Sequence, residues 1–73
     1  DLGILIYPNP SHGSFTIDIA NATTENAVTV FNMQGQEIFT QNMRDTLSIN
    51  TSGWSAGMYF VKVGDTFNKV VVK

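Results

Sequence analysis

The chain has 73 residues, four Lys or Arg against six Asp or Glu, and no cysteine. One domain of this size buries only roughly 60% of its unfolded surface, and without cysteine neither disulfides nor a thiolate zinc site can supplement its core. The cations are scattered as Arg44, Lys62, Lys69 and Lys73, too sparse to track a phosphate backbone, and no apolar run approaches the roughly 20 residues that span a bilayer. These features exclude nucleic acid as a partner and a transmembrane segment. The first residues lack a basic stretch followed by an apolar one, so an export signal would belong to a longer precursor, of which a chain starting at Asp1 fits a fragment.

Taken in order, Gly3-Ile4-Leu5-Ile6-Tyr7 reads as a first strand stopped by Pro8-Asn9-Pro10, where two prolines fix φ and remove donors. Ser11-His12-Gly13 completes a turn. From Ser14 to Ile19, Phe15, Ile17 and Ile19 alternate with Ser14, Thr16 and Asp18, the pattern of a strand buried on one side. Asn21 to Asn26 is a polar connection. Ala27 to Asn32 and Gln36 to Met43 form a second antiparallel unit around Met33-Gln34-Gly35, with Gly35 expected at positive φ. Thr46 to Asn50 is a brief fifth strand, and Thr51 to Gly57 is a crossing loop with one large apolar anchor, Trp54. The final hairpin turns at Gly64-Asp65-Thr66, with Tyr59, Val61 and Val63 on one face and Met58, Phe60 and Lys62 on the other. Seven short strands without helical periodicity predict an all-β fold, an antiparallel sandwich or small barrel.

No constellation for chemistry emerges. His12 is the sole histidine and follows Ser11 directly, and neighbours in a turn do not face one another, so it reads as a solvated turn residue and the chain as no enzyme. Asp1, Asp18, Glu25, Glu37, Asp45 and Asp65 fall mainly on turns or outward positions instead of converging as a catalytic pair. No spacing suits a metal and no glycine-rich loop precedes a helix, so no cofactor is expected. Asn21-Ala22-Thr23 and Asn50-Thr51-Ser52 match a glycosylation pattern short enough to arise by chance.

Three features invite a binding role. Trp54, Tyr59 and Phe60 could form an aromatic sugar platform, but a core this small calls Trp54 and Tyr59 inside. Met58 and Phe60 should face outward together, as a contact patch or beneath a covering loop. In Lys69-Val70-Val71-Val72-Lys73, Val70 and Val72 should point inward and Lys69, Val71 and Lys73 outward. That segment is either an ordinary closing strand or an edge open to strand addition by a partner sheet.

The order of four motifs adds a further indication. Tyr7-Pro8-Asn9-Pro10 with Gly13-Ser14-Phe15, then Val28-Thr29-Val30-Phe31-Asn32-Met33-Gln34-Gly35-Gln36, then Ser55-Ala56-Gly57-Met58-Tyr59-Phe60-Val61-Lys62-Val63, and finally Lys69 to Lys73, resemble the C-terminal sorting domain of type IX secretion cargo in Bacteroidetes. The resemblance covers essentially the whole chain. Asn32 stands where that family commonly has Asp, and Trp54 where it commonly has Leu.

The resemblance implies an immunoglobulin-like sandwich carried at the C-terminus of a secreted enzyme or adhesin, an address label with no catalysis of its own. It implies passage through the periplasm and recognition by an outer-membrane translocon, a shuttle protein and a sortase. The sortase would cut at or before Asp1, leaving the cargo at the cell surface or outside the cell. Recognition positions carried over are Lys69, Val70, Val71, Val72 and Lys73, with Gly57 and Tyr59 in the preceding strand. Pro8, Asn9, Pro10, Gly13 and Gly35 match turns that maintain the fold. A small adhesive or carbohydrate-binding sandwich on an extracellular enzyme is the competing expectation, with Trp54 as its sugar contact.

Overall fold

The computed structural model describes residues 3–8, 11–20 and 24–73. Asn9 and Pro10 of the first turn motif, the Asn21-Ala22-Thr23 acceptor and Asp1 lie outside the described residues. Seven strands follow in chain order: β1 (Gly3–Tyr7), β2 (Ser14–Ala20), β3 (Asn26–Phe31), β4 (Glu37–Met43), β5 (Thr46–Asn50), β6 (Gly57–Val63) and β7 (Thr66–Val72). Every strand expected from period-2 patterning is present, with ends displaced by a residue or two, and Thr66 belongs to β7 instead of the turn before it.

The strands divide into two antiparallel sheets, β1-β2-β5 and β4-β3-β6-β7, so the fold is a sandwich and not a closed barrel. Immunoglobulin-like domains share the division into two antiparallel sheets, their constant type placing the fourth strand beside the fifth. Here β4 instead pairs with β3, through a register shift between Val30 and Phe31.

The inner faces carry the core, as period-2 alternation requires. Phe15, Ile17 and Ile19 of β2 and Ile49 of β5 meet Val28 and Val30 of β3, Tyr59, Val61 and Val63 of β6, and Val70 and Val72 of β7. Met43 closes one flank, while Ile4, Ile6, Phe39, Leu47 and Trp54 pack around the margin. β-branched residues fill most central positions because their stiff side chains fit the pleated surface between neighbouring strands.

The segment after β1 links the two sheets. β1 runs beside β2 in the first sheet, whereas Ser11 makes a parallel bridge to Val72 of β7 in the second. Because of this crossing, the last strand of the chain is held by one of its first turns.

Candidate functional site

The terminal strand has two contrasting aspects. Val70 and Val72 point into the core as expected, while Lys69 and Lys73 are exposed and Val71 is half-buried. Along the outer edge, the Ser11 amide donates to the Val71 carbonyl at 2.7 Å and the Lys73 amide donates to the Ser11 carbonyl at 3.0 Å. The Ser11 hydroxyl also reaches the Val71 carbonyl at 3.3 Å. Ser11 is fully buried, at 0% exposure. Of the two alternatives for this segment, the open edge does not hold at Val71 and Lys73, whose outward backbone groups already pair with Ser11. An unpaired edge is a hazard for aggregation, and a loop laid across it is one way of removing that hazard.

The neighbouring loops anchor the same end of the sandwich. The Thr51 amide donates to the Gly13 carbonyl at 2.8 Å, and the Trp54 amide donates to the Thr51 carbonyl at 2.9 Å. Trp54 is half-buried, with its ring edge-on to Phe15 at 6.2 Å between centroids and tilted against Tyr59 at 5.1 Å. It works as an end plug between the sheets. Tyr59 is 7% exposed and its hydroxyl donates to the Ser55 carbonyl at 2.6 Å, the partner that a buried phenol needs. Thus Tyr59, a carried-over recognition residue, sits in the core and supports the strand from beneath.

Gly57, at the start of β6 opposite Val72, has φ of 151° and open space where a Cβ would stand. Its requirement is conformational, since L side chains avoid that region whatever room surrounds them. Gly13 and Gly35 both have φ of 83°, in keeping with their assignment to turns. His12 is exposed in the turn between Ser11 and Gly13.

The Asn32 side chain organises the turn between β3 and β4. The Asn32 Oδ1 accepts the Gln34 amide at 3.0 Å and the Gln36 amide at 2.9 Å, as an Asp oxygen would. Its Nδ2 then donates to Gln36 Oε1 at 3.1 Å, a bond that Asp could not make.

Met58 and Phe60 do face outward, each half-buried, and they belong to a larger surface than the pair expected. In register, Phe31 of β3 lies opposite Phe60 of β6, which lies opposite Lys69 of β7. Met58 is paired with Val71, and Lys62 with Phe67. Phe31 and Phe67 are 6.5 Å apart between ring centroids, and the Lys62 ammonium stands 5.8 Å from the centre of the Phe67 ring. Phe31, Met33, Phe60, Lys62 and Phe67 line a shallow groove of about 350 Å³. Patterning within single strands located Met58 and Phe60 but missed Phe31 and Phe67, which join them only through register. The signal lay in Phe67, Lys69 and Val71 alternating on one face beside the already recognised pair.

The other outer face is mostly polar, with Leu5 of β1 exposed opposite Asp18. Asp18 of β2 accepts hydrogen bonds from the Tyr7 hydroxyl of β1, at 2.6 Å, and from the Thr46 hydroxyl of β5. These donors hold the Asp18 carboxyl below its ordinary range, the Thr46 bond contributing most and the Tyr7 bond next. The same bond to Asp18 pushes the Tyr7 phenol up, assisted by desolvation and by the carboxylate charge. Thr16 and Ser48 pair their hydroxyls at 3.1 Å beside this group. Among the described residues no group of three His, Cys, Asp or Glu side chains could hold a metal, and no helix is long and apolar enough to cross a membrane.

Residues 5–73 match the secretion system C-terminal sorting domain family, and the chain belongs to that family. It is a C-terminal sorting signal of type IX secretion, carried on exported cargo. Over 68 residues it is 35% identical to the ulvan lyase NLR42 of Nonlabens ulvanivorans, a match that covers 89% of this chain and 12% of that protein. Membership implies export to the cell surface or the extracellular space.

Proposed function

We propose that this domain is read by the type IX outer-membrane translocon and its shuttle protein, and that a sortase then removes it from a cargo region lying upstream, after transit through the periplasm. The domain contributes the address, and any chemistry belongs to the cargo. The observation that carries this reading is the division of β7: Val70 and Val72 are locked in the core and the Val71 and Lys73 backbone is bonded to Ser11, while Lys69 and Lys73 present exposed side chains. A partner that leaves the fold intact meets those side chains, and strand addition at Val71 and Lys73 would first have to displace Ser11. Pro8, Gly13 and Gly35 serve as turn formers and not as contacts.

The test fuses a soluble reporter ahead of the chain in a bacterium with an active type IX system. Lys69→Ala with Lys73→Ala should leave the reporter in the periplasm while the melting temperature of the isolated domain stays within about 4 °C of the parent, as expected for surface changes of about 0.5 kcal/mol or less. Normal export of that double variant would refute side-chain reading of the lysines. Deleting Val70 to Lys73 should also block export, but it removes two core residues, so only the lysine variants separate recognition from folding.

A further inference from the structure

The chain contains five phenylalanines, and three of them, Phe31, Phe60 and Phe67, stand on the outer face of the four-stranded sheet. Phe67 is 61% exposed and Met33, beside it in the groove, is 59% exposed. A domain of 73 residues has little apolar material to give away. Cross-strand aromatic pairs do support a sheet from its outer side. The opposite sheet nevertheless meets that need with Tyr7, Thr16, Asp18, Thr46 and Ser48, joined by hydrogen bonds, and exposes one leucine, Leu5, beside them in place of an aromatic cluster. The phenylalanines therefore exceed what the fold requires of an outer face.

Charge is distributed just as unevenly. The molecule has a net charge of −2, yet three of its four cations, Lys62, Lys69 and Lys73, lie on the β6–β7 hairpin and at its end. Asp65, in the turn, is the single acidic side chain of residues 57–73. Lys62 lines the apolar groove and Lys69 is the register partner of Phe60. Glu37, opposite Phe31 on β4, marks the far limit of this basic region. A groove with an aromatic floor, an exposed methionine and lysines on one flank complements a ligand carrying apolar groups beside negative charge.

We propose that the Phe31–Phe60–Phe67 groove is a docking surface for a segment of a partner protein bearing alternating apolar and acidic side chains. The apolar groups cover the rings and the carboxylates meet Lys62 and Lys69. The identity of that partner as a secretion component rests on the reading above, whereas the groove's preference for acidic, apolar sequence does not.

The test is an amide NMR titration of the 73-residue chain with three short peptides: alternating Leu and Glu, alternating Leu and Lys, and alternating Ser and Glu. Saturable shifts at Phe31, Phe60, Lys62 and Phe67 are expected with the Leu–Glu peptide alone. Phe67→Ser should weaken that binding about tenfold and Lys62→Glu about fivefold, with the domain still folded and its melting temperature lowered by only a few degrees. Equal response to the Leu–Lys peptide, or no saturable shift with Leu–Glu at millimolar concentration, overturns the proposal. Sedimentation with phosphatidylglycerol vesicles in place of peptide binding would assign the face to a membrane, and self-association broadening these amides would assign it to a second copy; either replaces the proposal. In the reporter assay Phe67→Ser should reduce export. Peptide binding with undiminished export of Phe67→Ser would overturn the groove's role in secretion while the outcome for Lys69 and Lys73 stands separately.

Discussion

The end of the sandwich where the chain closes and the outer face of its last hairpin lie within one strand of each other and are built on opposite terms. At the end, Ser11, Gly13, Thr51 and Tyr59 join two loops and the terminus through backbone carbonyls, and Trp54 fills the gap between sheets. On the face, Phe67 and Met33 are left largely to solvent. The same β7 takes part in both, which separates holding the strand from presenting it. Substitutions at the end should act through stability, and substitutions on the face through recognition.

Trp54→Ala offers the strongest way to break this contrast. Removing the plug should cost about 3 kcal/mol, near the low end for a truncated aromatic because the ring is only half-buried. For a domain of this size that lowers the melting temperature by at least about 12 °C. A thermal melt showing little change would mean that the end is not held by its plug. It would also restore Trp54 as a surface residue free to contact a sugar.

Gly57→Ala should come next, at about 1–3 kcal/mol, with no steric clash to blame because the space around the Cβ position is empty. Export and melting temperature should fall together. Loss of export with an unchanged melt would move Gly57 from the holding end to the presenting face. Ser11→Ala follows, removing the hydroxyl bond to Val71 but keeping both backbone bonds, with an expected loss of about 0.5–1 kcal/mol. Hydrogen exchange at the Lys73 amide would show whether the clasp opens locally before the domain unfolds.

Residues that meet through local periodicity were legible in the sequence, and residues that meet through register or long-range crossing were not. The alternation of Phe15, Ile17 and Ile19, or of Tyr59, Val61 and Val63, determines an inner face without knowledge of the neighbouring strand. The inward Val70 and Val72 and outward Lys69 and Lys73 follow from the same rule. Ser11 has no such rule: it looks like any turn serine until the chain crosses between sheets and places it against Val71, sixty residues away. Phe31 and Phe67 were likewise legible as strand residues but not as partners, because β3 and β7 come together only with β6 between them. Family resemblance supplied the address function without saying which atoms are presented. Clasped edge and exposed face became distinguishable once register was known.

The smallest effect belongs to Asp18, and it tests whether the polar face is held by the bonds that make it unlike the aromatic one. Its carboxyl is lowered by the Thr46 and Tyr7 hydroxyls, so the folded state favours the ionised form more than the unfolded chain does. A depressed carboxyl contributes stability that is present above its unfolded value of about 4 and is lost as pH falls through the folded value below it. Tyr7 has the opposite sign: its phenol is raised by the bond to Asp18, so its contribution is present below about pH 10 and is lost as pH rises through the higher folded value. Melting curves across pH should therefore show a shallow acid limb that Asp18→Asn flattens and an alkaline limb that Tyr7→Phe removes. Lys62→Glu on the other face should leave both limbs in place. If it instead abolishes either limb, the two faces are electrostatically coupled through the sandwich, and the separation between a hydrogen-bonded support and a presented surface does not hold.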